Sequence, residues 1–75
     1  MTLDEFVLAF ASEFDETPAE QFTAETIFKD LDEWGSLTAL SIIAMVDEQL
    51  EKRITGADIR ASSSIKDLFD IIQAK

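Results

Sequence analysis

The chain has 75 residues, 47% of them hydrophobic, and its 16 acids against 6 bases give a formal charge of −10. It contains no cysteine and no histidine, which excludes disulfides, thiolate metal sites and the commonest general base. A polyanion of this size is repelled by nucleic-acid backbones and anionic lipids, whereas basic protein surfaces attract it.

A single hydrophobic core must carry the stability of so short a chain, and one domain over residues 1–75 is expected. The start, "MTLDEFVLAF", lacks the basic opening of a secretory signal. No apolar stretch reaches the ~20 residues that span a bilayer. The expectation is a soluble, cytoplasmic monomer without membrane insertion.

Residues 2–14 read as a first helix. Thr2 with Glu5 makes a capping box, and Leu3, Phe6, Val7, Phe10 and Phe14 recur at helical spacing as one apolar stripe. Residues 15–35 form a long connection, where Thr17 and Pro18 suit the N-cap and first position of a short turn. Phe22, Ile27, Phe28 and Leu31 are spaced so that some of them can plug into the core, and this loop should be packed and ordered.

The second helix is predicted from Ser36 or Leu37 to about Lys52. Leu37, Leu40, Ile43, Ala44 and Leu50 would mark its inner face; Thr38, Ser41, Ile42 and Met45 would mark its outer face. "TGADIRA" predicts a short third helix capped by Thr55 with Asp58. "SSSIKDLFDIIQAK" predicts a fourth, capped by Ser64 with Asp67 and striped by Ile65, Leu68, Phe69 and Ile72. Nothing alternates at period two, so strands are not expected. The fold class is all-α: a bundle of three main helices plus one short helix, with a long loop between the first and second.

The stretch "DLDEWGSL", residues 30–37, poses the functional question, because one serine follows a cluster of acids and opens an apolar run. As an N-cap, Ser36 would satisfy a free amide of the second helix. As part of a calcium loop, Asp30, Asp32 and Gly35 match the opening pattern. Trp34 and Ser41 then stand where oxygen ligands are needed, which leaves only weak surface binding of divalent cations to Asp30, Asp32 and Glu33. A catalytic serine needs a neighbouring base, and neither a histidine nor a G-x-S-x-G motif is present. No enzymatic activity is expected, and another protein must activate the hydroxyl.

"GSL" at 35–37 opens a long helix after a long loop and continues as "DLDEWGSLTALSIIAMVDEQL" and "ITGADIRASSSIKDLFDII". On these residues the chain resembles the acyl carrier protein family over essentially its whole length. The resemblance implies that Ser36 carries a 4′-phosphopantetheine arm, taken from coenzyme A by a magnesium-dependent holo-carrier-protein synthase. It also implies that Leu37 packs at the helix start. The arm's thiol would hold acyl intermediates as thioesters for synthase and acyl-transfer enzymes of fatty-acid, lipid or polyketide pathways, or hold aminoacyl and peptidyl groups.

Acids steer such a carrier onto basic docking surfaces, and Asp30, Asp32, Glu33, Asp47, Glu48 and Glu51 are the candidate contacts. The stretch from Leu37 to Val46 carries no charge, so docking near the arm should be more apolar, through Leu37, Ile42 and Met45. Gly35 stands where the family has aspartate. It favours the alternative, an unmodified carrier-like acidic helical interaction module in which Ser36 is only a cap.

Overall fold

Three of the four helices begin where a hydroxyl and an acid stand three residues apart. In the computed structural model, which describes residues 1–75, the helices are α1 (Leu3–Ala11), α2 (Ser36–Leu50), α3 (Gly56–Ala61) and α4 (Ile65–Gln73). Thr2 Oγ1 accepts the Glu5 amide at 3.2 Å while the Glu5 carboxylate accepts the Thr2 amide at 2.8 Å. Thr55 with Asp58 and Ser64 with Asp67 repeat that reciprocal pair. Each box satisfies amides that would otherwise lack partners. The all-helical bundle expected from the sequence is the fold observed.

α1 stops at Ala11, short of the expected residue 14. Glu13, Asp15 and Glu16 lie beyond its C-terminus, where negative charge opposes the helix dipole. Phe14 is nevertheless buried, because the following turn keeps it on the same side as the stripe. Phe10 sits at the centre of an aromatic cluster, with ring centroids 5.3 Å from Phe28, 5.7 Å from Phe14 and 6.1 Å from Phe6.

The α1–α2 connection is packed, as its aromatic spacing predicts. It contains 3-10 turns at Ala19–Gln21 and Phe28–Asp30, and Phe22 and Phe28 are buried while Ile27 is exposed. Thr17 does not cap the first turn, whose preceding residue is Pro18. The loop also completes α4: the amides of Ile65 and Lys66 donate to the carbonyls of Thr26 (3.2 Å) and Ala24 (2.9 Å). Helix and loop therefore satisfy each other's backbone groups. α1 packs on α2 and α4, and α3 packs on α4.

α2 is rotated from its expected phase. Ile42, at 0% exposure, and Met45, at 3%, point into the core with Val46; Leu37 is 81% exposed and Leu40 61%. Ile42 and Met45 are core residues and cannot be docking contacts. Leu37 is not packed at the helix start. Residues 37–46 are apolar around nearly the whole circumference, so periodicity does not fix which side faces inward. Packing against α1 decides it. The helix ends at Leu50, followed by Glu51 in the left-handed region (φ 56°).

Candidate functional site

The backbone leading into α2 is held from both sides of Gly35–Ser36. Upstream, the Glu33 carboxylate accepts the amides of Asp15 (2.8 Å), Glu16 (3.1 Å) and Thr17 (2.9 Å), and also the Thr17 hydroxyl (2.8 Å). Burial alone would push this carboxyl up. The Thr17 hydroxyl and the three amides outweigh that and hold it below the ordinary glutamate range. Trp34 packs edge-on to Phe28 at 4.8 Å and lies parallel to Phe10 at 6.4 Å. Downstream, the Thr38 hydroxyl donates to the Glu33 carbonyl at 2.9 Å.

Between these anchors Ser36 is solvent-exposed, and its hydroxyl enters none of the side-chain hydrogen bonds that secure its neighbours. It is the first helical residue and not the cap. The cap position is Gly35, in extended backbone, and no side chain caps α2. This corrects the capping expectation by one residue: an N1 side chain does not reach the amides that an N-cap side chain serves. The positive end of the α2 dipole is left open beside a free alcohol, an arrangement that accommodates an anion attached there.

A groove of about 700 Å³ runs from Ser36 between α2 and α3. Trp34, Ala39, Leu40, Ile43 and Ile59 supply its apolar surface, and Lys29, Gly56 and Arg60 complete it. Lys29 Nζ donates to the Arg60 carbonyl at 3.0 Å and so ties the connection to the last turn of α3. Neither cation joins the chain's two ion pairs, Lys66–Asp70 and Lys75–Asp58.

The residues singled out from sequence divide into three groups. Ser36 and Leu37 lie together on the exposed start of α2, and Asp30, Asp32, Asp47, Glu48 and Glu51 are exposed. Glu33 is corrected from a partner contact to a strut, its oxygens occupied by the 15–17 backbone. Ile42 and Met45 lie in the core. No three acidic side chains converge in a way that could hold a metal ion. Sequence reasoning missed Lys29, Arg60 and Ile59. The available signal was that few bases occur in this acidic chain. Comparison of the chain with protein-family models, curated proteins and solved structures finds no match.

Proposed function

We propose that the chain is a carrier protein modified at Ser36 with 4′-phosphopantetheine. The observation that carries this reading is the unbonded, exposed Ser36 hydroxyl, held in place by Glu33 and Trp34 on one side and Thr38 on the other. A transferase has access to that oxygen, which needs no extraction from an existing hydrogen bond. Ser36 Oγ forms the new bond to phosphorus, the phosphoanhydride bond of coenzyme A breaks, and 3′,5′-ADP leaves. The hydroxyl proton passes to a base on the transferase.

The residues present fit such a group. The open N-terminus of α2 stabilises a phosphodiester at its first residue, and the apolar groove lies beside the attachment point. The arm supplies a thiol that holds an acyl group as a thioester. Leu37 offers apolar contact next to the arm, and the exposed carboxylates of Asp47, Glu48 and Glu51 favour docking on basic enzyme surfaces.

Intact-mass measurement after incubation with coenzyme A, magnesium and broad-specificity transferases tests the reading. The expected result is addition of one phosphopantetheine to the wild type and none to Ser36→Ala. A methyl-sized addition at position 35 meets no atom within 4 Å, so Gly35→Asp should fold normally, and faster loading is expected. Absence of loading in both wild type and Gly35→Asp with several transferases rejects the carrier in favour of an unmodified helical module.

A further inference from the structure

We infer that the α2–α3 groove receives an acyl group ending in a carboxylate, held there by Lys29 and Arg60. The inference deepens the carrier reading and rests on it for the tether at Ser36. Its own support is the placement of charge. The chain has only six basic residues among 16 acids, yet two of them border the groove that starts at Ser36. Neither is engaged by a carboxylate of the chain.

Lys29 spends one of its three ammonium protons on the Arg60 carbonyl. Arg60 folds back over the first turn of α3, where a side-chain carbon at Gly56 would come within 3.3 Å of its Nη1. The absence of a side chain at Gly56 leaves room for the guanidinium. A guanidinium fork and an ammonium lining one groove suit a carboxylate better than any neutral group. The apolar surface of Ala39, Leu40 and Ile59 suits the carbon chain leading to it. The bond from Lys29 to the Arg60 carbonyl ties both cations to α3, across the groove from α2.

The chain has no cysteine, so Ser36→Cys provides a unique thiol that can be alkylated without any transferase. Two haloacetamides with chains of equal length, one ending in methyl and one in carboxylate, give matched conjugates, prepared over a series of lengths. At one length or more, the carboxylate conjugate should melt several degrees above its methyl counterpart. This sign opposes the background, since another negative charge on a chain of −10 adds self-repulsion.

The gap should shrink with added salt and vanish in Arg60→Gln, where the Lys29 tie to the backbone remains. The Arg60 Nε–H resonance should shift only with the carboxylate chain. A carboxylate conjugate that melts at or below the methyl conjugate at every length overturns the inference. So does a gap that survives in Arg60→Gln and Lys29→Gln alike. Failure of enzymatic loading leaves these conjugates testable and counts against the carrier reading alone.

Discussion

Replacing Ile42 and Leu37 by glutamate, one at a time, tests the orientation of α2. Ile42 is 0% exposed and Leu37 81%. A carboxyl forced into a fully buried site is raised by roughly 3–5 pKa units, so at neutral pH it must take up a proton, which costs about 3.5 kcal/mol at 1.36 kcal/mol per unit from an unfolded value of about 4.3. Losing the buried isoleucine adds about 1.5–3 kcal/mol, for a total of roughly 5–7 kcal/mol. A domain of this length has on the order of 4–11 kcal/mol to lose. Ile42→Glu should therefore lose most or all of its stability and melt far below wild type.

Leu37→Glu should stay within about 0.5 kcal/mol of wild type, as exposed substitutions do, and its charge sits favourably in the first turn of α2. Far-UV circular dichroism melts and urea titrations at neutral pH separate the two. If Ile42→Glu melted cooperatively within a few degrees of wild type while Leu37→Glu collapsed, the orientation described for α2 would be wrong, and with it the groove beside Ser36.

Glu33→Gln should lower the melting temperature most at neutral pH. The folded carboxyl lies below the ordinary value of 4.5, so its contribution is present above that value and is lost as pH falls through the folded one. A wild-type-to-variant gap that stayed constant from neutral pH to about pH 3 would contradict the strut. Ser64→Ala removes a capping hydroxyl and should cost about 1 kcal/mol, or roughly 4–8 °C; Ser63→Ala, which leaves the box intact, is the control. At Glu51 the left-handed backbone costs an L side chain about 1–2 kcal/mol, offset by up to about 1 kcal/mol for the greater unfolded freedom of glycine. Glu51→Gly should raise the melting temperature slightly; a fall refutes that strain. Added salt should raise the wild-type melting temperature by screening the −10 charge, and a flat ionic-strength series would dismiss self-repulsion as a destabilising force.

The parts of the fold that were legible in the sequence are those set by local chemistry. Capping boxes act over three residues, so Thr2–Glu5, Thr55–Asp58 and Ser64–Asp67 could be read directly and all three form. The stripes of α1 and α4 were legible because polar residues interrupt them at helical spacing. In α2 the apolar residues crowd every side, and only contacts distant in sequence choose between Leu37–Leu40 and Ile42–Met45 as the inner face. The pairing of Glu33 with the 15–17 backbone is similarly invisible, since an acid in an acidic loop carries no mark of the amides it will meet.

The candidate site divides along the same line. Residue type and position pointed to Ser36, but the state of its hydroxyl depends on register: one residue earlier it would cap α2, and where it stands it is free. A capping serine has its oxygen committed to the helix, while an N1 serine presents it to solvent, and this is the support for the proposed carrier that the loading experiment tests. The groove was harder still to foresee. Lys29, Ser36 and Arg60 come from the connection, α2 and α3, and only the packed loop brings the first beside the last. Phe28, buried at 0% exposure next to Lys29, is what fixes that lysine's place. The aromatic cluster that stabilises the bundle thus also determines which charge borders the groove that starts at Ser36.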